Sequence, residues 1–225
     1  MDLRSFAGYG DAMQPIRHIV FDIGKVLLHY DPHLAYKELI PDEADRRFFL
    51  EEVCSNDWNL EQDRGRPWAD AEAEAIARHP DKAELIRAFR QRWSMMVPHA
   101  YEDSVAVFRE TLASGHDVTL LTNFAPDTFV EARKRFPFLN ETRGVTVSGE
   151  LGLVKPDLAI YRHHAATFDL DPAATLFLDD SEPNVEGALK AGWRALHFTG
   201  ADKLRADLAS EGVKLDRAKP RLAKA

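Results

Sequence analysis

The stretch "HIVFDIGKVLLHYDP", residues 18–32, decides how the rest of the chain is read. Ile19, Val20 and Phe21 form an apolar run of strand length that ends in one carboxylate, Asp22. A short continuous apolar run followed by turn chemistry is the pattern of a strand buried on both faces. Gly24 supplies the turn and leaves the position two residues after Asp22 without a side chain. A lone acid is thus expected at the end of a buried strand.

Runs of the same kind recur at 118–121, 175–178 and 195–198, each followed by turn-forming residues. Amphipathic segments separate them. Val105, Phe108 and Leu112 share one face ahead of Gly115, and Leu158, Tyr161, Ala165 and Phe168 share one after Pro156. Strands alternating with helices, joined by right-handed crossovers, give an α/β fold with a doubly wound, Rossmann-like parallel sheet. Such sheets bind ligands beyond the carboxyl ends of their strands.

Residues 33–97 break the alternation. The segments "PDEADRRFFLEEVC" (41–54), "PWADAEAEAIARH" (67–79) and "DKAELIRAFRQRWSMM" (81–96) have helical patterns, the last with Leu85, Phe89, Trp93 and Met96 along one stripe. The chain returns to the sheet through "MVPHA" (96–100), where Pro98 opposes further helix. The expected division is a core domain of residues 1–32 and 98–225 with a helical cap domain of residues 33–97 between its parts. Within the cap, "WNLEQDRGRPW" (58–68) reads as a polar loop around Gly65, with Asp63 and Arg64 as candidate substrate contacts.

Composition narrows the function. Hydrophobic residues are 45% of the 225, enough for a full core, yet none of the apolar runs approaches the ~18 residues of a membrane span. A soluble protein without a membrane partner is expected. The first residues lack a basic patch followed by an apolar block, so a cytoplasmic location is expected. Cys54, the only cysteine, precludes an internal disulfide. Formal charge is −8, although residues 214–225 carry five basic residues against one acid. The acidic remainder should repel nucleic acid, and the basic end reads as a solvated, mobile tail. The nine histidines show no zinc-binding spacing, and His163 and His164 are expected mid-helix, at the surface or partly buried. There is no phosphate-binding loop of the G-x-x-x-x-G-K type.

The other strand ends carry chemistry. Thr122 and Asn123 end the second run, and Phe124, Ala125 and Pro126 lead into a helix, so a hydroxyl, an amide and helix N–H groups should form an anion site. Lys155 stands before an expected proline-initiated helix. The third run ends in Asp179 and Asp180, with Ser181 and Asn184 behind them. Two carboxylates about 4 Å apart repel by ~4 kcal/mol at an effective dielectric near 20, so gathering Asp22, Asp179 and Asp180 at one rim calls for cations. Lys155 offsets one charge. Mg²⁺ would offset the other two through the hard oxygen ligands it prefers.

Taken together, Asp22 in "FDIGKVL", Thr122 in "LLTN", Lys155 in "VKPD" and Asp179 with Asp180 in "FLDDSEPN" resemble, in order and spacing, the four motifs of the haloacid dehalogenase superfamily. The helical insertion resembles that of its helically capped subgroup. Within it the chain looks most like the sugar-phosphatase group containing α-D-glucose-1-phosphate phosphatase, and more distantly like the phosphatase half of soluble epoxide hydrolase. The resemblance implies a phosphatase for a small phosphorylated metabolite, a sugar phosphate above all. Asp22 would be the nucleophile forming an aspartyl-phosphate, with Mg²⁺ held by Asp22, the Gly24 carbonyl and Asp180, and Asp179 serving the metal site directly or from behind these ligands. Lys155, Thr122 and Asn123 would grip the phosphoryl oxygens.

Gly24 departs from the usual family pattern, in which a second Asp passes protons to the leaving group. Esters that need little protonation should then be favoured, and Lys25, His29 and Asp63 are candidate replacements. A metal-independent 2-haloacid dehalogenase using Asp22 is the alternative, since halide departs without a proton. A phospho-ligand-binding protein without turnover is another.

Overall fold

The computed structural model describes residues 14–215. Most of the basic tail, from residue 216 on, lies outside the described residues. Five parallel strands form one sheet: β1 (His18–Phe21), β2 (Asp117–Thr122), β3 (Val145–Val147), β4 (Thr175–Asp179) and β5 (Arg194–His197), in the spatial order β3-β2-β1-β4-β5. Among the described residues the first strand, β1, therefore lies in the middle of the sheet. Phe21 pairs with Leu120 on one side and Leu178 on the other, so the next residue, Asp22, comes level with Asp179.

Four of these strands are the four apolar runs. The fifth, β3, is absent from the sequence reading for a physical reason: it is a three-residue edge strand whose middle residue is Thr146, so no apolar run marks it. Alternate strand residues feed two cores. Ile19, Phe21, Leu120, Leu176 and Leu178 pack with Phe108 of the helix Glu102–Ala113, while Val20, Leu121 and Phe177 pack with Ile160 and Tyr161 of Leu158–Phe168 and Ala188 of Glu182–Lys190. Covering both faces is what a parallel sheet requires.

Two local expectations need correction. The helix after Lys155 begins at Leu158, not at Pro156; residues 155–157 make a turn closed by the Asp157 N–H on the Val154 carbonyl at 2.9 Å. His164 is fully buried rather than at the surface or partly buried. Its two ring nitrogens meet the hydroxyls of Thr119 (2.9 Å) and Thr146 (2.7 Å), and burial, aided by His163 and Arg143, pulls it down to about 3. The imidazole is thus a neutral rivet between the sheet and a helix. The apolar periodicity alone could not reveal it, because its partners are polar residues on two strands.

Between β1 and β2, residues 33–96 contribute helices and no strand, chiefly Glu43–Phe48, Asn56–Asp63, Trp68–Arg78 and Ala83–Gln91. Tyr36, Phe49, Trp58 and Phe89 interlock as its aromatic centre, and the Tyr36 hydroxyl donates to the Leu85 carbonyl at 2.9 Å. Residues 58–63 are helical rather than loop. Ser55 caps this helix by accepting from the Trp58 N–H at 3.2 Å, and the chain leaves it at Gly65, whose φ of +98° only glycine adopts without strain. Among the described residues no helix is long and apolar enough to cross a membrane.

Candidate active site

Asp22, Asp179 and Asp180 meet at the carboxyl edge of the sheet: each offers a carboxylate oxygen, and the three oxygens lie within 4.8 Å of one another. The Lys155 ammonium sits between two of the acids, 2.8 Å from Asp22 Oδ1 and 2.6 Å from Asp179 Oδ2. Residue exposure is 6% for Asp22, 2% for Lys155 and 0% for Asp179, so water screens these charges little. Three carboxylates face one ammonium. An excess of negative charge remains at the rim, only partly offset at Asp180 by the exposed Lys25, and the donor set is entirely hard oxygen, which fits a divalent cation such as Mg²⁺.

The protonation equilibria follow from this crowding. Burial raises the Asp22 carboxyl to about 7; Lys155 opposes the shift and the neighbouring Asp179 adds to it. For Lys155, burial disfavours the ammonium, but Asp179 and Asp22 more than compensate and hold its pKa above the ordinary lysine value. Asp180, half-buried, is raised by burial and by Asp179, with Lys25 and Lys155 acting against both.

Asp179 is saturated. Its Oδ1 accepts from the Ser181 N–H (2.8 Å) and the Asn184 amide (3.0 Å), and its Oδ2 from Lys155 and from that amide again (3.1 Å). A carboxylate has about four lone-pair sites, and all are in use. Asn123 holds the lysine backbone. Its amide donates to the Lys155 carbonyl (3.0 Å) and accepts from the Lys155 N–H (2.8 Å), so its side chain positions the lysine while the residue also borders the cavity under the insertion. Thr122, the last residue of β2, is buried beside it.

A cavity of about 100 Å³ lies between the insertion and the sheet edge. Gly24 and Tyr30 border it from below, Asp63, Trp68 and Trp93 from the insertion, and Phe124 from the loop after β2. A Cβ built on Gly24 would meet no atom within 4 Å, so this wall is open where an aspartate could stand. Arg64, expected as a substrate contact, does not border the cavity. Its guanidinium turns to Asp157 at 3.3 Å and to Glu61 at 3.6 Å, tying the insertion to the turn after Lys155.

Ahead of the helix Pro126–Arg135, the N–H of its cap residue Ala125 serves an internal acid, donating to the Asp63 carboxylate. Further contacts hold the insertion down. Ser148 donates its hydroxyl to the Asp63 carbonyl, and Trp68 and Arg90 both donate to Asp127, at 3.1 and 2.6 Å. A Cβ on Gly65 would stand 2.6 Å from the Gly149 carbonyl oxygen, so the missing side chain of Gly65 lets these backbones approach. Ser148 escaped the sequence reading because it follows β3, the strand that reading lacked.

Fold and rim together define an α/β protein whose acidic working edge is covered by helices. The chain belongs to the haloacid dehalogenase-like hydrolases, whose family model matches residues 16–192. It is 32% identical over 117 residues to sesquiterpene phosphatase astK of Aspergillus oryzae, covering 52% of this chain and 59% of that one. It is also 32% identical over 122 residues to a phosphoserine phosphatase of Thermus thermophilus, covering 52% and 47%. The chain thus spans about half the length of the curated relatives it matches. A HAD family enzyme of Bacteroides thetaiotaomicron, solved with magnesium and inorganic phosphate, shares the fold at a TM-score of 0.64 and 21% identity, over 82% of this chain and 94% of that one.

Proposed function

We propose that the chain is a Mg²⁺-dependent phosphatase that cleaves a small phosphorylated metabolite, a sugar phosphate, through an aspartyl-phosphate on Asp22. The observation that carries this reading is the unbalanced rim: three converging carboxylates against one buried ammonium. Asp22, Asp180 and the Gly24 carbonyl would hold the ion. Asp179, with both oxygens already saturated, instead anchors Lys155 behind them. When bound, the ion supplies charge neutralisation for the phosphoryl oxygens.

The protein's own groups do the rest. Asp22 attacks phosphorus in line, and the bond from phosphorus to the leaving oxygen breaks. Lys155, held by Asn123 and Asp179, fixes the nucleophile and faces the phosphoryl charge. Water then attacks the phosphoryl group and returns Asp22 as a carboxylate. The leaving group occupies the cavity, where Trp68 and Trp93 offer aromatic faces and Asp63 and Asn59 offer polar contacts, a mixture suited to a compact polyhydroxylated molecule. The two relatives named as phosphatases support the reaction class.

The test is p-nitrophenyl phosphate with Mg²⁺ and with excess chelator, run beside 2-chloropropionate and a panel containing glucose 1-phosphate and glucose 6-phosphate. Phosphate release is expected only with Mg²⁺, with no chloride released. Chloride release in chelator would establish the dehalogenase in its place, because a substrate carboxylate would then be tolerated beside Asp179 and Asp180. Binding of phosphate without product would leave only a phospho-ligand-binding protein.

A further inference from the structure

We propose that Asp63, reaching over the cavity from the insertion, gives the proton to the departing oxygen and so replaces the carboxyl absent at Gly24. This rests on the phosphatase reading above. The cavity that would receive the leaving group is bordered by both residues, Gly24 contributing no side chain and Asp63 a carboxyl. That carboxyl is well held. The Asn59 amide donates to Oδ2 at 3.2 Å, the Ala125 N–H donates to the same carboxylate, and the Asp63 backbone is fixed by Ser148.

The charged and titratable neighbours are compatible with the task. Burial raises Asp63 to about 7, while the Ala125 N–H and the more distant Lys155 ammonium work the other way. Tyr30 also borders the cavity, and burial, with Asp63 and Asp31, raises its phenol so far that it stays protonated. His29, on the same wall, is tied through Nδ1 to the Tyr101 hydroxyl at 3.0 Å and stacked on His99. Lys25, exposed in a left-handed turn (φ 56°), faces Asp180 and borders a different hollow from this cavity. Among the described residues that border the cavity, Asp63 is the one carboxyl.

The step balances. As Asp22 bonds to phosphorus, the electron pair of the breaking P–O bond passes to the leaving oxygen, which takes the Asp63 proton and departs as an alcohol. The Asp63 carboxylate is stabilised at the helix N-terminus by Ala125. It recovers a proton from the water that attacks the phosphoryl group, and the P–O bond to Asp22 breaks with its pair returning to the carboxylate.

The experiment compares the parent with Asp63→Asn on a series of aryl and alkyl phosphates in Mg²⁺ buffer. The parent should show a shallow dependence of log(kcat/KM) on leaving-group pKa and a loss of activity as pH rises through about 7, where the donor deprotonates. Asp63→Asn should lose ~10²- to 10⁴-fold in kcat on alkyl phosphates while retaining most aryl turnover, with KM little changed and the alkaline limb gone. Retained aryl turnover also certifies that the variant folds. Equal losses on both ester classes, or unaltered alkyl turnover, would overturn the assignment of Asp63. A steep dependence in the parent overturns it without any variant. If the parent cleaves neither ester with Mg²⁺, the phosphatase reading itself fails and Asp63 falls with it.

Discussion

Asp22→Asn is expected to lower kcat on p-nitrophenyl phosphate by at least ~10⁴-fold, the scale on which enzymes lose rate when a nucleophile is removed. The fold should survive. The amide occupies the space of the carboxylate, Lys155 keeps its bond to Asp179, and one of two like charges in a dry site disappears. Burial already penalises the Asp22 carboxylate, so the variant should be as stable as the parent in metal-free buffer or more so by about 1 kcal/mol. Urea unfolding measured beside the rate separates the two effects. A variant that turns over normally removes Asp22 from the chemistry; one that loses rate only because it has unfolded says that Asp22 is structural.

Lys155→Met should do the reverse and damage the fold as well as the rate. The ammonium is the only partner of the Asp22 carboxylate given by the side-chain ion pairs of the described residues, and one of several for Asp179. Breaking a buried pair from one side typically costs about 3–5 kcal/mol, because a charge is left without compensation. The pH dependence has a definite sign. Without Lys155 the folded-state pKa of Asp22 rises further above its unfolded value, so the folded protein binds more protons than the unfolded chain over that interval. The stability deficit should therefore be smallest in mild acid and grow as pH rises. Urea midpoints at a series of pH values check this, and a deficit that does not vary with pH would attribute it to lost packing over the Phe177 ring, which the ammonium caps at 5.4 Å.

What the chain's letters made legible was whatever the sheet does by repetition. Three buried strands and the half-buried edge strand β5 announce themselves as apolar runs, and because parallel strands end together, Asp22, Thr122, Asp179 and the residues after them had to share an edge. Asp22, Asp179, Asp180 and Lys155 were named on that basis and do come together. Illegible features depend on contacts between distant polar residues, which leave no period in the sequence. The Asn123 amide looks the same whether it awaits a phosphate or clamps the Lys155 backbone. Arg64 and Asp63 are neighbours, yet the helix ending between them sends one to Asp157 and the other into the cavity. His164 and β3 were missed together, since Thr146, which disguises the strand, is the residue that buries the imidazole.

The account stands on Asp22 becoming phosphorylated, and this can be observed directly. The enzyme is mixed with Mg²⁺ and excess p-nitrophenyl phosphate, quenched in acid during turnover, digested, and its peptides weighed. One phosphoryl group on the peptide carrying Asp22, absent when Mg²⁺ is withheld and absent from Asp22→Asn, is the predicted result. Continued release of phosphate with no peptide phosphorylated, or with the phosphoryl group on another residue, would contradict it.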